Sequence, residues 1–151
     1  MKKYVILELI PTHSNPQYGD VAQLQALKIE DYKMLSRFDC RLEKSKIKIA
    51  DLAEMISYDD DSFRKLSTTE EMMKQFSLWS ENLPVYILKN GYTEAYLNHH
   101  KIFNEQVSIL DELSMSLTPT IFDELIEKFN LQPSPHFVDL LFEALIAQSN
   151  Y

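Results

Sequence analysis

The segment Tyr4–Leu9 (YVILEL) is an almost unbroken apolar run, entered from two lysines and closed by Pro11. Apolar residues at both odd and even positions give a strand two apolar faces, so this strand has to be covered on both sides. Proline has no N–H to give to a central ladder, which sets Pro11 as its limit. Such a strand needs other elements beside it and over it, and the later segments make most sense as those neighbours. One charge breaks the run. Glu8, near the strand's C-terminal end, must find a partner or a metal ion, or else point out of the sheet, because an isolated carboxylate is costly to bury.

The segments that follow supply the neighbours. Residues 11–20 (PTHSNPQYGD) are rich in turn formers and read as a loop. Val21–Glu30 and Lys33–Leu42 both alternate, and Asp31 and Tyr32 leave room only for a tight turn, so the pair predicts an antiparallel hairpin. From Glu43 to Leu66 the chain is polar and irregular, with one short helix predicted over Ile49–Ile56. Thr68 and Glu71 have the spacing of a capping box. Behind them Met72, Met73, Phe76, Trp79 and Leu83 recur at helical intervals, a stripe that reads as core. Pro84–Leu88 predicts a short strand parallel to the first, residues 93–103 a helix, and Val107–Leu110 another strand, together a βαβ unit. The remainder reads as helix over Asp111–Leu117, Thr120–Phe129 and onward from Pro135, with Ser134 as N-cap, Pro135 at the first helical position and a largely apolar body. The expected fold is α/β, with a five-stranded mixed sheet, three antiparallel strands followed by two parallel ones. Helices cover both faces, in one domain spanning residues 1–151.

Charge and cysteine content narrow the function classes. A net charge of −8 disfavours a protein that grips duplex phosphates through clustered Lys and Arg, while leaving open a metal-assisted contact with a nucleic-acid end. Two glycines are too few for a Gly-rich phosphate loop. Cys40 is the sole cysteine, so no internal disulfide can form and the expected compartment is a reducing cytoplasm. The first residues lack the h-region of a signal peptide and no apolar run approaches the ~20 residues of a membrane span, so no membrane association is expected. Cys40 itself reads as a small packed strand residue. The run Asp59–Asp60–Asp61 lacks the alternation, the glycine and the terminal Glu of a calcium loop, and reads as a solvated acidic segment. His99 and His100 are adjacent rather than one helical turn apart, which suits a surface pair better than a metal site.

Several segments also resemble parts of one family. YVILELIPT stands where that family has a strand ending in Asp-x-Glu-Thr-Thr, and GDVAQLQALKIED where it has the next strand. The stretch from Thr68 to Leu97 resembles its helix and short strand leading into an Asn-x-x-x-Asp turn. VSILDEL resembles a segment with Asp-Thr-Leu, and SPHFVDLLFEALIA its closing motif, a His followed five residues later by an Asp. In order and spacing, spread over the whole chain, these segments resemble the DEDDh 3′–5′ exonucleases of the ribonuclease H-like fold. That group includes the epsilon-type proofreading domains of DNA polymerase III, oligoribonuclease and ribonuclease T.

The resemblance implies two-metal phosphodiester cleavage, with Mg²⁺ or Mn²⁺ ions about 3.5–4 Å apart held by converging carboxylates and a His that deprotonates the attacking water. Carried over by position, Glu8 replaces the first Asp, Ile10 the Glu two residues on, and Glu94 the Asp four residues after Asn90. His136 keeps the His, and Leu141 takes the place of the last Asp. Asp139 is the nearest substitute for that Asp, although two residues on a helix turn through about 200°. His13 is a further nitrogen donor in the loop after the first strand, and Asp111 matches a structural position. The implied site is therefore Glu8, Glu94, His136 and Asp139 as catalytic residues, with Glu8, Glu94 and Asp139 as metal ligands. Each has a structural reading as well. Glu8 suits a strand-end acid paired with a lysine, Glu94 a first-turn acid favoured by the helix dipole, and His136 a packing residue at a helix start.

With Ile10 and Leu141 in two acid positions, the expectation is a degenerate exonuclease-like domain, impaired or inactive, that binds a single-stranded 3′ end or a protein partner and then needs no cofactor. The alternatives are an active Mg²⁺- or Mn²⁺-dependent 3′–5′ exonuclease with a rearranged acid set, and a protein-interaction subunit without a nucleic-acid role. Oligomeric state is not legible in the sequence.

Overall fold

In the computed structural model of the chain, residues 2–56 and 63–149 are described. The acidic run Asp59–Asp61 lies outside them. The first strand, β1 (Lys3–Pro11), is central, and β2 (Val21–Glu30) and β3 (Lys33–Leu42) follow it as an antiparallel pair. Asp31 and Tyr32 both take positive φ, 51° and 66°, as a tight hairpin turn with the twist of its strands requires. β5 (Val85–Ile87) lies parallel to β1 on its other side, with Val5 opposite Val85, and β6 (Gln106–Ser108) lies parallel to β5. The expected five strands thus take the order β3-β2-β1-β5-β6.

The sheet has six strands, not five. β4 (Arg64–Leu66) adds a parallel edge beside β3, with Arg64 opposite Cys40 and Leu66 opposite Leu42, giving the order β4-β3-β2-β1-β5-β6. Its residues Arg-Lys-Leu carry no alternation, and only the ladder on β3 makes them a strand. Pro11 ends β1 as expected, at a register shift that follows Ile10.

Both faces of the sheet are covered. Val5, Leu7 and Leu9 join one cluster with Met72, Met73 and Phe76 of helix α2 (Thr69–Ser80) and Tyr96 and Leu97 of helix α3 (Tyr92–His99). Cys40 is buried on this side, and the short helix α1 (Ala50–Met55) packs Leu52 and Ala53 at its margin. Tyr4 and Ile6 face the other way. They join Ile109 and Leu110 of α4 (Ile109–Glu112), Leu125 and Phe129 of α5 (Ile121–Phe129), and Val138, Leu140, Leu141 and Ala144 of α6 (Phe137–Ser149). Phe76 is fully buried, so its truncation to Ala removes about 3–5 kcal/mol.

Several helix limits differ from the expected ones. Thr68 caps α2, its Oγ1 accepting from Glu71 N at 3.2 Å, while the Glu71 carboxylate accepts from Gln75 rather than closing the box. That helix stops at Ser80, where Glu81 is left-handed, so Leu83 packs from a loop. α3 ends at His99 and leaves Phe103 84% exposed. Ile109 and Leu110 open α4 rather than closing a strand, because the Ser108 hydroxyl caps them. The stretch expected to be helical to Leu117 then leaves that helix at Leu113. α6 starts at Phe137, two residues later than expected. Ser134 Oγ accepts from His136 N at 3.2 Å, so Pro135 lies outside the helix and His136 directly precedes it.

Candidate functional site

Side chains opposite one another on an antiparallel ladder project to the same side, and the register of β1, β2 and β3 therefore builds a polar patch. Glu8 faces Gln25, which faces Asp39; one pleat further on, Ile10 faces Gln23, which faces Arg41. The patch continues the face of Tyr4 and Ile6, the α6 side, towards the C-terminal end of β1. On β3 the Arg41 guanidinium is paired with Asp39 at 3.0 Å, and both are buried. Asp39 also accepts from Gln23 Nε2 at 3.4 Å and from Gln25 Nε2 at 3.1 Å. Phe63 lies against the Arg41 guanidinium, 3.8 Å from its ring centroid. A buried ion pair with this many donors around its carboxylate is satisfied from within.

The start of α6 brings His136 to the patch, with its Nδ1 3.1 Å from Gln25 Nε2. The Gln25 amide is oriented by Asp39, since turning it over would set its oxygen against a carboxylate. An NH₂ group only donates, so Nδ1 of His136 is the acceptor and, in the neutral ring, Nε2 carries the proton.

Beside this network lies a cleft of about 500 Å³, lined among others by Glu8, Ile10, Gln25, Tyr92, Phe122 and His136. Leu88 and Asn90, just past β5, also line it, so it opens at the C-terminal ends of the parallel pair β1 and β5. Phe122 of α5 stacks on Phe137 of α6 at 5.7 Å and forms part of its apolar wall. Glu8 is partly buried in this wall and has no hydrogen-bond or ion-pair partner among the described residues. Burial pushes its carboxyl up from the ordinary 4.5 to about 7. The Tyr92 hydroxyl is raised as well, by burial first and by the charge of Glu8 second.

Of the four residues singled out by motif position, two share this cleft. Glu8 and His136 line it, whereas Glu94 and Asp139 are not among its described lining residues. Glu94 turns back on its own helix, where both carboxylate oxygens accept from Gly91 N, at 3.0 and 3.3 Å, and Asn90 Oδ1 accepts from Thr93 N. Asp139 is paired with Arg37 at 2.6 Å, while Leu141 is fully buried. His13 is engaged elsewhere, its Nδ1 accepting from Asn15 N in its own loop and its carbonyl from the Tyr96 hydroxyl of α3. His100, expected on the surface, is half-buried, with Nε2 lacking a partner among the described residues. Among the described residues no group of three or more His, Cys, Asp or Glu side chains converges as metal ligands would.

The motif reading missed Gln23, Gln25, Asp39, Arg41 and Tyr92. The first four carried a signal. Gln23 and Gln25 on β2, and Asp39 and Arg41 on β3, occupy alternate positions, which puts each pair on a single face once the hairpin is drawn. Tyr92 carried none, because it reads equally well as a turn residue.

Compared with models of known protein families and with curated proteins, the chain matches none of them.

Proposed function

We propose that this chain is a ribonuclease H-like domain of the DEDDh exonuclease type that has lost phosphodiester cleavage and serves as a binding module for a protein partner. The family reading draws support from the strand order once the edge strand β4 is set aside, β3-β2-β1-β5-β6 with β2 antiparallel to both neighbours. It draws support too from His136 lying in the same cleft as the carboxylate at the end of β1.

One observation carries the loss of cleavage: the engagement of the acids. Two divalent cations need several carboxylates converging from different elements. Here Asp139 is held by Arg37, Glu94 by the start of α3 and Asp39 by Arg41, and Leu141 is an aliphatic core residue. Among the described residues Glu8 is the acid of the cleft without a hydrogen-bond or ion-pair partner. This donor set does not fit a pair of Mg²⁺ or Mn²⁺ ions. His136 points to the same conclusion. A general base needs an unshared lone pair facing water, and here Nδ1 accepts from Gln25.

Protein is favoured over a nucleic-acid end by the sign of the cleft. Among the described lining residues the cation, Arg41, is already paired with Asp39, so a phosphate placed there meets the Glu8 carboxylate with no free cation among them to compensate. The test is a nuclease assay on 3′-labelled single-stranded DNA and RNA with Mg²⁺ or Mn²⁺. The expected result is no nucleotide release above that of Glu8→Ala. Release from the wild type that disappears in both Glu8→Ala and His136→Ala would sink the proposal and establish the rival, an active exonuclease with a rearranged acid set. The shared cleft of Glu8 and His136 favours that rival, which also requires thermal stabilisation by the metal ions.

A further inference from the structure

The cleft has a definite chemical complement. Among the described lining residues the charged side chains are Glu8, partly buried and without an ion-pair partner there, and Arg41, which is paired with Asp39. Its walls are long apolar and aromatic side chains: Ile10, Leu88, Tyr92, Phe122 and Phe137. Of its uncharged polar residues, Gln25 is bonded to His136, Gln23 to Asp39, and Asn90 to the backbone of Thr93. A ligand that fits has one positive charge at the end of an apolar stem. A planar cation fits the aromatic walls better than a compact ammonium does, since guanidinium is weakly hydrated and stacks on ring faces. About 500 Å³ is ample for one such side chain.

We infer that the cleft receives an arginine side chain of the partner protein, its guanidinium against Glu8 and its methylene stem along Ile10, Tyr92 and Phe122. This inference rests on the binding-module reading and names the group the module takes. A carboxylate facing a guanidinium forms paired, charge-assisted hydrogen bonds, and the net charge of −8 draws basic partners.

The test uses the full chain, ¹⁵N-labelled, titrated with N-acetyl-arginine amide and with the uncharged citrulline analogue of the same shape. The arginine compound is expected to saturate, with shifts centred on Glu8, Tyr92 and His136, and the citrulline compound to bind about tenfold or more weakly. Glu8→Gln is expected to remove the preference. Binding should strengthen from pH 6 to pH 8 as Glu8 ionises. The titratable and charged groups that line the cleft with it are Tyr92 of α3, His136 ahead of α6 and Arg41 of β3, itself paired with Asp39, and its ladder neighbour is Gln25 of β2. Equal binding of the two compounds, shifts elsewhere, or no saturation overturns the inference. If the nuclease assay is also silent, the non-cleaving reading stands without it. Nucleotide release that depends on Glu8 overturns both.

Discussion

Gln25 Nε2 lies 3.1 Å from His136 Nδ1 and 3.1 Å from Asp39 Oδ2, so one amide spends both its protons in joining a histidine to a buried carboxylate. The arrangement fixes a tautomer. In long-range ¹H–¹⁵N spectra of the neutral ring, Nδ1 of His136 is expected to be the unprotonated nitrogen. Gln25→Leu takes a donor from each partner and is expected to cost about 1–3 kcal/mol in denaturant unfolding, with both His136 tautomers then populated.

Glu8 makes stability depend on pH in an uncommon direction. Its carboxyl titrates near 7 in the folded chain and near 4.5 when unfolded, so between these values the folded state binds the extra proton. Stability is therefore expected to fall as pH rises through this window, because the native state must lose a proton that the unfolded state has already lost. Glu8→Gln removes that dependence. Unfolding free energies at pH 5 and pH 8 should show the variant ahead of the wild type at pH 8 by on the order of 1–3 kcal/mol, and nearly level with it at pH 5.

Asp139 is expected to act through Arg37 alone. The pair is partly exposed, with side chains 35% and 24% accessible, which places its coupling at about 0.2–1 kcal/mol. A double-mutant cycle on Arg37→Ala and Asp139→Ala measures it. A coupling near zero would contradict the pairing, and Asp139→Ala is expected to leave arginine-amide binding unchanged.

Gly19 is required for a close approach rather than for a special backbone angle. A Cβ built there meets the Tyr96 hydroxyl at 2.4 Å and His13 Cβ at 2.6 Å, and that hydroxyl donates to the His13 carbonyl at 2.7 Å. Gly19→Ala is expected to destabilise by about 1–3 kcal/mol and Tyr96→Phe by about 0.5–1.5 kcal/mol, both read by thermal or urea unfolding. Adding Tyr96→Phe should recover part of the Gly19→Ala loss, since it removes the nearest colliding atom.

The central strand and the hairpin were legible because burial on two faces and alternation leave period signals that survive in any context. β4 was not. Three residues with no pattern become a strand only when β3 offers them a ladder, and that is a tertiary fact. The start of α6 was misplaced because Ser134 and Pro135 have the residue types of a helix entry, whereas the Ser134 hydroxyl binds His136 N and delays the helix. For the site, motif position picked out Glu8 and His136, which share a cleft, but also Glu94 and Asp139, whose carboxylates are held by Gly91 and Arg37. What a carboxylate bonds to is not written in its spacing. The Gln23, Gln25, Asp39 and Arg41 patch was within reach, because the hairpin register puts those residues on one face, and the pairing of β2 with β1 makes it the face of Glu8.

Cys40, the sole cysteine, is 0% exposed in β3, and burial pushes its thiol up to about 12. At neutral pH the folded chain thus offers maleimides essentially no thiolate. A cysteine introduced at the rim of the cleft, for instance at Met55, which is 63% exposed and lines it, would be the single labelling position of the native protein. A fluorophore placed there would report entry of a ligand beside Glu8 without any need to remove the native cysteine first.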